Sequence, residues 1–251
     1  MSRTRISSLD MARYADLALA SFGRFGPLLD LERESIVTGI ASADIVPADA
    51  QLLAEGQALR NPKVVLAGWA ARVRMLSDGR RQILSFVIPG DVFGYSARPR
   101  AFAVSPIVAL TPVAFAPVEP IQEAMASANG KASPLALTGW SLLGLDEALT
   151  VSHITRLGRQ SAYERVAHLF LEFYHRLNAV GLASDLTFPL PLTQEILSDA
   201  LGLSVVHTNR TLQQLKRDGF INYHNGTVRL NQASRLAQLV DFRIPPRLQK
   251  N

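Results

Sequence analysis

Between Leu192 and Leu215 the chain carries the marks of two short helices joined by a tight turn, and no other stretch constrains the fold as much. Thr193 is suited to cap a short helix, and Ala200 is small enough for a second helix to cross closely. Gly202 permits the left-handed conformation of a tight turn, and Ser204 is placed to cap the next helix. In that second helix Thr208, Leu212 and Leu215 recur at i, i+4 and i+7 and are expected to face the core. Val206, Asn209, Arg210, Gln213 and Arg217 fall on a different stripe, mostly polar or basic, as a helix laid in the DNA major groove requires. Beyond Asp218-Gly219, the run Phe220 to Leu230 holds two strand-like pieces around Asn225-Gly226, a strong hairpin signal. A helix-turn-helix followed by a hairpin is a winged helix.

The residue types on this segment suggest separate roles. Arg210 is the candidate for base-edge contact, its fork matching the two acceptors of guanine; the bland alternative is a phosphate contact or a surface ion pair. Asn209 can read adenine or hold a phosphate, and His207 can touch the DNA backbone or simply be exposed. Valine at 205 and 206 offers no polar readout, although Val206 can pack on a thymine methyl. Thr193, Gln194 and Ser204 complete the DNA-facing set on the two helices. The wing residues Asn225, Thr227 and Arg229 are candidates for positioning rather than specificity. Charge agrees: Gly202 to Asn251 holds eight Lys/Arg against two Asp/Glu, a net +6, in a chain of net charge +5. Such a region suits a polyanionic partner or is a solvated basic face.

The remainder reads as a second module. Of the 251 residues 48% are hydrophobic and 19% charged, enough apolar material for a large core. The first thirty residues look helical and amphipathic through Leu9, Ala12, Tyr14, Ala15, Leu17, Leu19 and Phe22, up to a break at Gly23 and Gly26-Pro27. Between Val46 and Val118 short β-rich runs, such as Val64 to Leu66 and Ile83 to Ile88, are punctuated by Ser77-Asp78-Gly79 and Pro89-Gly90-Asp91, predicting an antiparallel roll or barrel. The uncharged stretch Ala101 to Val118 approaches membrane-spanning length, but Pro106, Pro112 and Pro117 make it strands and turns. From Pro134 a long helix is expected, with Leu135, Leu142, Leu145 and Leu149, followed by Ile154 and Leu157, forming a seam for a partner helix or for the helix's own domain. Gly158 to Ser161 reads as a hinge, followed by a helix from Ala162 to Val180. The expected organisation is an N-terminal helix and roll over 1–132, a dimerisation helix over 133–158, and a winged helix-turn-helix with a basic tail of unknown role over 159–251.

With these segments in order, the chain resembles the Crp/Fnr family of bacterial transcription regulators over nearly its whole length. Residues Thr193 to Arg229 look like that family's winged helix. Gly68-Trp69-Ala70, Asp78 to Leu84 and Pro89-Gly90-Asp91-Val92-Phe93-Gly94 resemble its glycine-marked strands and Pro-Gly-Asp turn. The resemblance implies an α+β fold: an N-terminal antiparallel, jelly-roll-like β-roll, a long dimerisation helix and a C-terminal winged helix-turn-helix. It implies a homodimer on an inverted repeat of double-stranded DNA, with RNA polymerase as a further partner. Family members that bind cyclic nucleotides carry a Gly-Glu pair after the Phe-Gly turn and a downstream arginine for the phosphate. Here Tyr95 follows Gly94, no acidic residue occurs between Asp91 and Glu119, and Arg100 or Ala103 stands at the arginine position, depending on alignment. Cyclic AMP is therefore not the expected effector.

Other effectors are limited by residue type. The chain has no cysteine, which excludes an iron–sulfur cluster, and all five histidines, from His153 onward, lie beyond the roll, which excludes haem ligation there. No metal or resident cofactor is expected, and the effector is unknown. What remains is an apolar, partly aromatic pocket around Phe86, Gly90, Phe93, Gly94, Tyr95, Phe102 and Arg100, or no effector at all. A metal-dependent enzyme on the roll would need clustered histidines and carboxylates, and a serine hydrolase a Gly-x-Ser-x-Gly elbow; the sequence has neither, so no enzymatic activity is expected. The rival reading is a ligand-sensing roll whose winged helix makes protein contacts only. The basic start, Met1 to Arg5, leads into no uninterrupted apolar run, so a cytoplasmic, non-membrane protein is expected.

Overall fold

The computed structural model describes residues 6–98, 100–127, 132–245 and 248 of the chain. The expectations that fall on Met1 to Arg5, on Pro99, on the end of the roll module near Lys131 and on most of the basic tail beyond Pro245 lie outside the described residues. Among the described residues no helix is long and apolar enough to cross a membrane.

Helix α1 (Ser8–Gly23) begins where the Ser7 hydroxyl accepts from the Asp10 amide at 3.1 Å. It buries Leu17, Ala18, Ser21 and Phe22, so the expected amphipathic face is real only over its last turns, and Leu9 is exposed. A second helix, α2 (Asp30–Ile40), was not anticipated from the sequence; it buries only Ile36 and Ile40. Glu32 links the start of this helix to a distant part of the chain, accepting from the Leu29 amide at 2.9 Å and from the Leu135 amide at 3.0 Å.

Eight short strands then build the roll: β1 (Asp44–Val46), β2 (Gln51–Leu53), β3 (Lys63–Ala67), β4 (Ala70–Met75), β5 (Arg81–Val87), β6 (Val92–Phe93), β7 (Ile107–Ala109) and β8 (Val113–Pro117). They form two four-stranded sheets, ordered β1-β8-β3-β6 and β2-β7-β4-β5. The pairings are antiparallel, for example Val65 opposite Phe115 and Ala71 opposite Val108. Apolar side chains of both sheets, among them Leu52, Val65, Val87, Phe93, Ile107 and Val113, meet in one core. The Pro89-Gly90-Asp91 turn is pinned on several sides. The Gly90 amide donates to the Val65 carbonyl at 2.8 Å, the Ser21 hydroxyl to the Gly90 carbonyl at 2.5 Å, and the Ile88 amide to the Asp91 carboxylate at 2.7 Å.

Helix α3 (Glu119–Ala126) precedes the long helix α4 (Pro134–Arg159), which starts where the sequence placed it. The expected break at Gly158 to Ser161 is reduced to Gln160 and the cap Ser161, because α4 continues through Gly158 and α5 (Ala162–Ala179) starts at once with a Ser161–Glu164 capping box. Strand β9 (Thr187–Pro189), helices α6 (Gln194–Leu201) and α7 (Val205–Arg217), strands β10 (Ile221–His224) and β11 (Thr227–Leu230), and helix α8 (Ala233–Leu239) complete the chain. Two compact units result: the described residues up to Val73 with Phe86–Asp146, and Arg74–Ser85 with the described residues from Glu147 on.

The seam expected on α4 needs correction. Leu135, Leu142, Leu145 and Leu149 are all buried within the single chain and Leu157 is half-buried, so this stripe packs on the protomer's own fold. The opposite stripe is open and takes in Ile154 from the expected seam: Leu137, Trp140, Val151 and Ile154 are 51%, 38%, 58% and 64% exposed. Gly144 lies between them with nothing within 4 Å of where a Cβ would stand. Residues 137, 140, 144, 151, 154 and 158 keep a seven-residue repeat, the spacing of a helix that packs along another helix.

Candidate nucleic-acid interface and effector pocket

Local chemistry builds the helix pair. The Thr193 hydroxyl accepts from the Ile196 amide at 3.2 Å and starts α6. Gly202 ends it in the left-handed region, at φ 62° and ψ 37°, with its N–H donating to the Ser198 carbonyl. Ser204 then accepts from the His207 amide at 3.2 Å and starts α7. Caps of this kind are worth about 1 kcal/mol each. Ala200 is fully buried between the helices, while Thr208, Thr211, Leu212 and Leu215 form the inner face of α7.

The outer face of α7 carries Val205, Val206, His207, Asn209, Arg210, Gln213 and Arg217, all exposed, with Lys216 beside them. The side chains of Asn209, Arg210, Gln213 and Arg217 have no hydrogen-bond or ion-pair partner among the described residues, so their polar ends stay free for a ligand. Thr193 is exposed and Gln194 half-buried at the start of α6. The wing is a three-stranded sheet, β10-β11-β9, closed by an Asn225-Gly226 turn in which both residues have positive φ, 48° and 70°. That conformation matches the twist of a two-residue hairpin. Asn225, Thr227 and Arg229 are exposed along it, and Tyr163 braces α7 by donating to Asp218 at 2.9 Å. The sequence missed β9, whose Phe188 opposes Val228. It also missed Arg81 at the turn end of the β4–β5 hairpin, whose guanidinium reaches the Asp199 carboxylate on α6 at 2.8 Å.

The pocket residues expected in the roll are only partly brought together. Phe93, Gly94 and Tyr95 line a cavity of about 60 Å³, joined by Arg72, Leu143 and Asp146, which no local sequence signal marks. Phe86 instead packs edge-on against Trp69 with centroids 6.1 Å apart, and Gly90 sits in the pinned turn. Phe102 and Arg100 are exposed, Arg100 at φ 57°, and neither lines the cavity. Ala103, the other residue aligned with the phosphate arginine, is buried. Burial pushes the Tyr95 phenol far up, and the carboxylates of Asp146 and Asp91 add to it.

A β-roll, a long helix and a winged helix-turn-helix with a free polar stripe define a DNA-binding transcription regulator. Residues 164–239 match the Crp-like helix-turn-helix domain. The chain is 35% identical to the nitrogen fixation regulation protein FixK of Bradyrhizobium diazoefficiens over 177 residues, 70% of this chain and 72% of that protein. It is 32% identical to the transcriptional activator protein FnrL of Cereibacter sphaeroides over 161 residues, 62% and 63% of the two chains. Its fold superposes on FixK2 from Bradyrhizobium japonicum with a TM-score of 0.65 at 27% identity, covering 81% of this chain and 98% of that one. The chain belongs to the Crp/Fnr family of transcription regulators.

Proposed function

We propose that this regulator acts as a homodimer, reads an inverted repeat through the outer face of α7, and does not use cyclic AMP as its effector. The observation that carries the reading is the outer face of α7 itself. Arg210, Asn209 and Gln213 point to solvent on a helix whose other side is fully packed, and Arg210 is the residue that reads guanine. Wing residues Asn225, Thr227 and Arg229 and the capped starts of α6 and α7 serve the phosphates. The second copy joins through Leu137, Trp140, Gly144, Val151 and Ile154. RNA polymerase is the protein partner at the promoters it controls.

Against cyclic AMP stand the missing ribose carboxylate and the size of the cavity: ligand pockets occupy roughly 300–1,000 Å³, several times the 60 Å³ beside Tyr95. The test is selection and sequencing of random duplexes bound by the purified chain at near-physiological salt, where nonspecific binding fades. An enriched inverted repeat is expected. No enrichment, with or without cell extract, would return the winged helix to a protein-contact role, and saturable micromolar binding of cyclic AMP by isothermal titration would overturn the effector statement.

A further inference from the structure

The apolar stripe that α4 turns toward its own protomer ends in a charge. Arg156, about two turns beyond Leu149, is 1% exposed. Its guanidinium donates to the Glu172 carboxylate on α5 and to the Nδ1 atoms of His168 at 3.2 Å and His153 at 3.3 Å. Glu172 in turn accepts from Arg176 at 3.1 Å. Only Gln160 and the cap Ser161 separate α4 from α5, and they too are held. The Gln160 side-chain amide donates to the Val240 carbonyl at 3.0 Å, and Arg165 donates to the Gln160 carbonyl at 2.8 Å. The same Arg165 reaches the Leu201 carbonyl at 2.9 Å, one residue before the Gly202 turn that launches α7. From Arg156 to the start of the DNA-facing helix, polar links therefore run along α5 without a loose joint.

A buried arginine–carboxylate pair is weak evidence for stability, because apolar residues of similar volume often serve as well or better. What it supplies is direction. Packed leucines can slide by fractions of a turn, whereas a planar guanidinium is held in both distance and angle when one terminal nitrogen reaches Glu172 and His168 on α5 and the other reaches His153 on α4. We propose that Arg156, acting through Glu172 and supported by Gln160 and Arg165, is a positioning residue for DNA recognition: it sets the angle between α4 and α7 and thereby the half-site spacing the dimer accepts. This rests on the dimeric reading above. Each base pair inserted between half-sites turns one of them by about 34° about the duplex axis, so a rigid elbow makes the dimer selective for one spacing and a loose one does not.

The experiment uses the full chain, its selected operator, a series of duplexes with the half-sites moved apart one base pair at a time, and a duplex with one half-site. Arg156→Met keeps the stem in the apolar stripe and leaves Glu172 paired with Arg176. The variant is expected to melt as the wild type does and to bind the single half-site within about twofold, while a spacing preference of about tenfold or more falls to about threefold or less. Arg156→Lys, which keeps the charge without the fork, should fall between. Should Arg156→Met not fold, Arg165→Met, which cuts the link from Gln160 to Leu201, is expected to show the same loss. Full spacing preference in either folded variant would overturn the positioning role alone. A wild-type protein that binds every spacing equally would refute the dimeric reading, and the positioning role with it.

Discussion

Replacing Ile154 by aspartate tests which side of α4 meets a second copy. Ile154 is 64% exposed in the single chain, so about two-thirds of its side chain remains to be covered. Burying an isoleucine completely is worth about 1.5–3 kcal/mol, which leaves about 1–2 kcal/mol per chain. In a two-fold dimer each position counts twice. Ile154→Asp should thus cost the dimer about 2–4 kcal/mol before the desolvation of two carboxylates is added, a rise of thirty- to several-hundred-fold in its dissociation constant at about 1.4 kcal/mol per tenfold. Sedimentation equilibrium reads that constant, and circular dichroism should find the fold unchanged, because no atom of the protomer's core is touched. Leu145→Ala is the counterpart: at 3% exposure it should cost about 2–5 kcal/mol of folding stability and leave the association of folded chains nearly as it was. If Ile154→Asp remained as dimeric as the wild type while folded Leu145→Ala came apart, the leucine stripe would be the seam and the phase assigned to α4 would be wrong.

Three further outcomes concern the site and its supports. Arg210→Ala should lose about 1–3 kcal/mol of preference for the selected operator over random duplex, measured by competition binding; an equal loss on both would make Arg210 a phosphate contact. The Thr208 hydroxyl is buried under α7 with no partner among the described residues. Thr208→Val should therefore raise the denaturation midpoint by the equivalent of about 1 kcal/mol without changing operator affinity, and a destabilised variant would mean that the hydroxyl is satisfied. Burial and then the Arg156 charge lower His153 and His168 from 6.5 to about 4. Both imidazoles are neutral in the folded chain at pH 7, and stability is complete above about 6.5. It falls as the pH drops toward 4, because the unfolded chain takes up protons that the folded chain refuses. At 1.36 kcal/mol per unit the ceiling is about 2 kcal/mol per imidazole by pH 5, and equal urea midpoints at pH 7 and pH 5 would refute it.

The helix pair was legible because every signal in it is local. Thr193 and Ser204 cap helices within three residues of themselves, Gly202 satisfies a conformation that other side chains resist, and Asn225-Gly226 defines its own turn. Elements set by distant partners were not legible. Strand β9 exists because Phe188 and Thr187 find β11, and α2 buries only two side chains of its own, Ile36 and Ile40. The cavity beside Tyr95 draws on Arg72 from β4 and Asp146 from α4, residues joined by nothing in sequence.

The phase of helix α4 was illegible for a different reason. It carries two apolar stripes in the same seven-residue repeat, nearly opposite each other: Leu135, Leu142, Leu145 and Leu149 on one side, Leu137, Trp140, Val151 and Ile154 on the other. Periodicity detects that a repeat exists but cannot say which of two phases turns inward. The larger and more regular leucines suggested the partner seam, yet a protomer's own core rewards dense packing most, and they are buried there. The outer stripe, with Gly144 open at its middle and a tryptophan only partly covered, is the less regular surface, suited to a helix arriving from another chain. Under the dimeric reading proposed above, a helix packed on its inner face against its own fold, ending in the buried Arg156 guanidinium, and open on its outer face carries the geometry of the association to the DNA-facing helix α7.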